Sequence, residues 1–257
     1  MWILNLVNNY NISCKIIVEE LNNMRMIDKP IESRPYEKFD KYGVLALSNI
    51  DLLAIILRNG THNCSAEDIA FRLLTFRNTK PNNSEKETSL LELCQLSYNE
   101  LLQVEGIGKI KAMQILSLIE LTKRISKESY NPKGKITSPG ILANYFMEQL
   151  RHEREEQFIV VSLNAKCEMV SEDIVSIGSL TASIVHPREV YKIAIKRSAH
   201  SIIAIHNHPS GDPSPSKEDI SITKRLKESG ELMGVPLLDH IVIGDGIYKS
   251  FKEESYL

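Results

Sequence analysis

No two cysteines of this 257-residue chain are spaced as a metal knuckle or a disulfide framework: Cys14, Cys64, Cys94 and Cys167 stand singly, with no Cys-x-x-Cys pair. Isolated cysteines in a chain of this length point to reduced thiols in a cytosolic protein. Long apolar runs are also missing. The opening "MWILNLVNNYNISCKIIVEELNNMR" is broken by asparagines, lacks the basic start of a signal peptide and is too interrupted to span a bilayer. A cytoplasmic protein without membrane association is expected, and the three Asn-x-Ser triplets (from Asn11, Asn63 and Asn82) then carry no glycosylation meaning. A surplus of one charge is absent too. The formal net charge of -2 gives no global argument for nucleic acid, although a local basic patch stays open. No internal repeat is visible. What is present is ordinary: 42% hydrophobic and 25% charged residues place the chain among soluble globular proteins, long enough for one large domain or two modest ones.

The pattern changes near the middle. Leu45–Leu57 has apolar residues at helical spacing with Ser48 as N-cap, and Ser65–Phe76 repeats the arrangement with Ser65 as cap and acids in the first turn. Arg77–Ser89, with Pro81, reads as a loop, and two further helices follow around "LSYNELLQVEGIGKIKAMQILSLIELTKRI". Ser126–Pro139 is polar and rich in Pro and Gly, as a linker would be. Beyond it, strands are expected at Glu156–Asn164, in "MVSEDIVSIGS" with a turn at Gly178, at Ser201–His208 and at Leu237–Gly246. They alternate with helices in "HPREVYKIAIKRSA", where Pro187 suits a first turn, and in "SKEDISITKRLKESGELMG", closed by Gly230 or Gly234. The expected organisation is α+β overall: residues 1–23 an N-terminal extension outside the folded domains or not translated at all, since Met24 opens a natural domain start; 24–130 an all-helical domain; and 131–257 a mixed α/β domain.

Two stretches carry chemistry. The first is "AIHNHPSGDPSPSKED", Ala204–Asp219. Residues two apart on a strand share a face, so His206 and His208 can offer one nitrogen each to the same cation. A proline-stiffened loop then allows a helix starting at Ser216 to present Asp219 in its first turn. Two histidines and a carboxylate with an open fourth position is the ligand set of a hydrolytic zinc site. The plain alternative is a capping box, with Ser216 as N-cap and Asp219 at N3. Asp239 and His240 in "LLDHIVIG" admit either a role next to the metal or that of a satisfied histidine at a strand edge, and His186 suits a helix start. The second stretch is "LLQVEGIGKIKAMQI", in which Gly106 and Gly108 join two helices just before Lys109 and Lys111. The glycines permit backbone conformations closed to other residues, and the following helix N-terminus suits a phosphate. A plain turn explains the same letters, and neighbouring acids repel phosphate.

The string His206-Asn207-His208-Pro209, followed by Ser216-Lys217-Glu218-Asp219, fits the signature of JAB/MPN (JAMM) metallopeptidase domains, whose core is cytidine-deaminase-like. With "HPREVYKIAIKRSA", "LLDHIVIGDG" and the N-terminal "RPYEKFDKYGVLALSNIDLLAIILRNGT", the chain from Met24 onward resembles the bacterial RadC-like (UPF0758) branch. That resemblance implies Zn²⁺ bound by His206, His208 and Asp219, with Ser216 hydrogen-bonding the attacking water or the developing oxyanion. It also calls for a glutamate ahead of the first strand to move a proton. Glu153, Glu155 and Glu156 offer themselves; Glu156, in Glu-x-Phe form before Phe158, fits best, and Glu155 would face the opposite way. The glycine hairpin resembles a helix-hairpin-helix element that grips nucleic-acid backbone without reading bases. Three functions follow as expectations: a zinc peptidase or isopeptidase acting on a protein or peptide; a nucleic-acid-binding repair or recombination accessory protein with a structural or vestigial metal; and a metal-dependent nuclease.

Overall fold

The computed structural model describes residues 30–76, 88–132, 134–178 and 185–257, so the extension 1–23 and most of the loop expected at 77–89 lie outside the described residues. The chain divides into two compact units, the first ending at Ile119 and the second running Glu120–Leu257. Among the described residues no helix is long and apolar enough to cross a membrane.

The first unit is helical, with α1 (Pro35–Tyr42), α2 (Asn49–Leu57), α3 (Ala66–Leu74), the short α4 (Leu91–Gln95) and α5 (Tyr98–Leu101), and the start of α6 (Lys109–Ser129). Ser48, Ser65 and Ser97 each open a helix with a reciprocal capping box, in which the serine oxygen accepts the N3 amide and the N3 acid accepts the serine amide. Leu53, Leu57, Ile69, Leu73, Leu101 and Ile115 bury the apolar stripes of these helices in one core. Helix α6 runs into the segment expected as linker. Nothing breaks a helix before Pro132, and Lys127 lies over the rings of Tyr145 and Phe146 while pairing with Glu172.

The second unit is a five-stranded sheet in the order β2-β1-β3-β4-β5. Its strands are β1 (Gln157–Leu163), β2 (Met169–Ile177), β3 (Ser201–Asn207), β4 (Leu237–Ile243) and β5 (Tyr248–Ser250); only β3 and β4 run parallel. The parallel pair is joined by α9 (Lys217–Met233), which ends at Gly234 in the left-handed conformation; Gly230 lies inside the helix. Helices α8 (Pro187–Lys196) and α9 cover one face through Val190, Tyr191, Ile222 and Leu226 against Phe158, Val160, Ile202 and Ala204. Helix α7 (Pro139–Leu150) covers the other through Leu142, Phe146 and Leu150 against Ile159, Val161, Ile203 and Ile241. Burial on both faces explains why β1 and β3 read as unbroken apolar runs. His186 N-caps α8 by accepting the Arg188 amide on Nδ1 at 3.1 Å, the helix-start role expected of it.

Candidate metal centre

Strand alternation sends Phe158 of β1, His206 of β3 and His240 of β4 to the face covered by α9, because Phe158 pairs with His206 and Ala204 with His240. His208 follows the last residue of β3 and keeps the same direction, so its Nε2 stands 3.0 Å from that of His206. The loop back to α9 is braced from below. Asp245 N–H donates to the carbonyl of Gly211 at 2.9 Å, and a Cβ on Gly244 would come within 2.3 Å of that same oxygen. Only glycine fits at 244.

At the start of α9, Asp219 N–H donates to Ser216 Oγ at 3.1 Å and Ser216 N–H donates to Asp219 Oδ2 at 2.7 Å. The capping box is therefore present. It does not displace a ligand role, because the same carboxylate has Oδ1 at 3.3 Å from His206 Nε2 and Oδ2 at 3.3 Å from His208 Nε2. His206 and Asp219 are buried and His208 is 14% exposed, so the cluster has a closed floor and one side turned to solvent.

A zinc ion suits this donor set. Tetrahedral ligands at about 2.0–2.1 Å from zinc are separated by about 3.3 Å; the two imidazole nitrogens stand 3.0 Å apart and each has one oxygen of Asp219 at 3.3 Å, Oδ1 for His206 and Oδ2 for His208. Ligand atoms of His206, His208 and Asp219 all lie within 4.8 Å of one another. His208 Nδ1 lies 2.8 Å from the carbonyl oxygen of Asp212, which can only accept. The neutral ring therefore carries its proton on Nδ1 and turns a bare Nε2 toward the carboxylate. Two such acceptors face each other comfortably only with a proton or a cation between them.

The electrostatics agree. Burial works to raise the Asp219 carboxyl, but the facing imidazoles of His206 and His208, which donate to it and attract it when protonated, together with Ser216, hold it far below the usual carboxylate range. Asp219 raises His208 above its ordinary value against the opposing effect of burial. Burial lowers His206 in spite of Asp219, and it pushes the wholly buried His240 well below the ordinary range.

The glutamates separate clearly. Glu156 immediately precedes β1, and its negative charge favours the protonated forms of both His206 and His208. Glu155 is exposed, and Glu153 pairs with Lys123 at 2.7 Å. A clamp holds the backbone on either side of Glu156. The buried Asn207 accepts from Gln157 N–H on Oδ1 at 2.8 Å and donates through Nδ2 to the Glu155 carbonyl at 3.2 Å. Gly178 N–H donates to the carbonyl of Glu156 itself at 2.8 Å.

The glycine hairpin gives its second lysine a different use. Gly106 has a φ of 91°, as a tight turn requires, whereas a Cβ on Gly108 would meet nothing. Lys111 Nζ donates to the carbonyls of Asn59 at 2.6 Å and Gly106 at 3.1 Å, tying the hairpin to the loop between α2 and α3. Lys109 is exposed at the first turn of α6. Glu105 pairs with Arg72 at 2.6 Å.

Comparison with known proteins covers both units. Residues 136–256 match the RadC-like JAB domain, and residues 26–113 match the UPF0758 N-terminal domain. A UPF0758 protein of Alkaliphilus metalliredigens is 50% identical over 89% of this chain and 94% of its own length. One from Clostridium acetobutylicum is 48% identical over 92% of this chain and 99% of its own. One from Methanosarcina mazei is 43% identical over 93% and 99%. The chain belongs to the UPF0758 family. Its RadC-like JAB domain takes in the whole sheet, the three convergent side chains and Glu156. Within this UPF0758 chain the reading of the sequence passed over Asn207, as the middle letter of His-x-His, and Thr223. The available signals were an asparagine at a strand end and a hydroxyl one helical turn after Asp219.

Proposed function

We propose that this chain is a zinc-dependent hydrolase that cleaves an amide or isopeptide bond of a protein or peptide. The observation that carries the reading is the convergence of His206, His208 and Asp219, with one side turned to solvent and the negative charge of Glu156 acting on both histidines. A purely structural zinc site would be closed by a fourth protein ligand. Bound zinc supplies a Lewis acid and brings the pKa of water to about 7. The other steps belong to the chain. The Glu156 carboxylate takes a proton from the attacking water as its oxygen adds to the substrate carbonyl carbon. The same carboxylate returns the proton to the leaving nitrogen as the carbon–nitrogen bond breaks. Ser216 Oγ, held at the helix start by the Asp219 amide, donates to the carbonyl oxygen as charge develops there. A nucleic-acid grip at the hairpin draws less support, because Lys111 is bound to backbone carbonyls and one exposed lysine neutralises little phosphate.

Glu156→Gln tests the assignment. It is expected to keep zinc and to lower turnover of peptide and isopeptide substrates about 10²–10⁴-fold, with Glu155→Gln unchanged. Unaltered turnover in Glu156→Gln would remove this residue from the chemistry.

A further inference from the structure

His240, like His206, is a fully buried titratable group, and the steps proposed for hydrolysis do not use it. Its ring is 0% exposed, stacks on Phe251 with centroids 4.7 Å apart, and meets Phe158 edge-on at 5.5 Å. Both of its nitrogens have partners. Nδ1 lies 2.6 Å from Thr223 Oγ1, and Nε2 lies 2.7 Å from His206 Nδ1. Thr223 is in turn buried, with Oγ1 2.6 Å from the carbonyl oxygen of Asp219, one turn earlier on α9.

The direction of this chain of hydrogen bonds follows from its two ends. A carbonyl oxygen only accepts, so the single hydroxyl proton of Thr223 goes to the Asp219 carbonyl. Thr223 Oγ1 must then accept from His240, which puts the His240 proton on Nδ1. A ring enclosed between two aromatic side chains, with no carboxylate hydrogen-bonded to either nitrogen, stays neutral. Its Nε2 is therefore a bare acceptor, and the proton between the two imidazoles belongs to His206 Nδ1. The remaining nitrogen of His206, Nε2, carries a lone pair directed at His208 and Asp219.

We infer that Thr223 and His240 form a hydrogen-bond relay that fixes the tautomer of His206, keeping its proton on Nδ1 and its lone pair toward the cation position. They are positioning residues that act through His206. The relay starts at the backbone of Asp219, so one ligand sets the tautomer of another through two intermediaries. Without the hydroxyl, the opposite arrangement becomes available: His240 donates from Nε2, and His206 carries its proton on Nε2, where it blocks the lone pair. The consequence for zinc rests on the metal-site reading above. The tautomer itself does not.

The full-length chain labelled with ¹⁵N in histidine provides the test, through long-range proton–nitrogen correlation of the zinc-free protein and competitive zinc titration against a chromophoric chelator. In the wild type and in Thr223→Ser, His206 is expected to hold its proton on Nδ1. Thr223→Val and His240→Leu are expected to populate the Nε2-protonated form and to bind zinc about 10–100-fold more weakly. His240→Gln, whose amide oxygen can accept from His206, is expected to recover most of that affinity. A His206 proton on Nε2 in the wild type, or a Thr223→Val protein indistinguishable from Thr223→Ser in both readouts, overturns the relay. If His240→Leu fails to fold, the Thr223 pair still decides. Zinc binding with tautomers that ignore Thr223 removes the relay and leaves the metal site; tautomers that respond in a wild type that takes up no zinc do the reverse.

Discussion

Two capping boxes in this chain use the same letters and the same bonds for different ends. In the helical unit, Asp51 N–H donates to Ser48 Oγ at 3.2 Å and Ser48 N–H donates to Asp51 Oδ2 at 3.0 Å. In the sheet unit, Ser216 and Asp219 repeat this at 3.1 and 2.7 Å. Both aspartates are buried, at 3% and 2% exposure. What faces the carboxylate differs. Asp51 meets Lys38 Nζ at 3.0 Å, a fixed positive charge that completes the site. Asp219 meets two imidazole nitrogens that carry charge only when protonated. One box is finished by its own chain; the other asks for a cation. Ser-x-x-Asp therefore predicts a helix start in both places, and chemistry only where two histidines close over the acid.

Transplanting the first solution into the second should have the largest effect. His208→Lys would set an ammonium over Asp219 as Lys38 sits over Asp51, and it is expected to abolish zinc uptake while the fold persists, as judged by circular dichroism and metal analysis. A variant that still binds zinc stoichiometrically would mean that His208 is not a ligand. Next comes acidity. His208 has a raised pKa, so its proton competes with zinc from somewhat above 6.5 downward, and affinity is expected to fall about tenfold per pH unit there. The contribution of His208 to the stability of the zinc-free fold runs the other way: it is complete below the unfolded value near 6.5 and lost as pH rises through the folded value, while His206 and His240, lowered by burial, cost stability as pH falls below that same value. Chelator titrations across pH 5–8 should show the fall in affinity toward acid, and an affinity that does not change over this range would contradict the assignment.

Asn207→Ala comes third. It leaves the Glu155 carbonyl and the Gln157 amide without their side-chain partner, costing about 1–3 kcal/mol, and is expected to lower turnover roughly tenfold through Glu156 with zinc affinity unchanged. Loss of zinc instead would show that the clamp supports His206 and His208. The smallest effect belongs to the other box. Asp51→Ala should cost about 1–2 kcal/mol in urea unfolding through the lost return bond from Ser48 N–H and the lost pair with Lys38, and change neither zinc content nor turnover.

Local signals were legible in the sequence because they act within a few residues. The caps at Ser48, Ser65 and Ser216, Pro187 at the start of α8 and the shared face of His206 and His208 all have that range. Longer reach was not legible. His206 meets His240 across 34 residues and Asn207 meets Gln157 across 50, and only the sheet register sets both. Helix α7 went unread because Ser138 and Pro139, which open it, also close a segment whose prolines and glycine resemble a linker. Strand β5 is three residues long and carries no periodicity of its own.

Zinc content of the purified full-length chain, compared with Asp219→Ala and Asp51→Ala by elemental analysis after identical zinc loading and desalting, tests the central claim most directly. The account predicts one zinc per chain in the wild type and in Asp51→Ala, and none in Asp219→Ala. Equal zinc in all three, or none in the wild type, would contradict it.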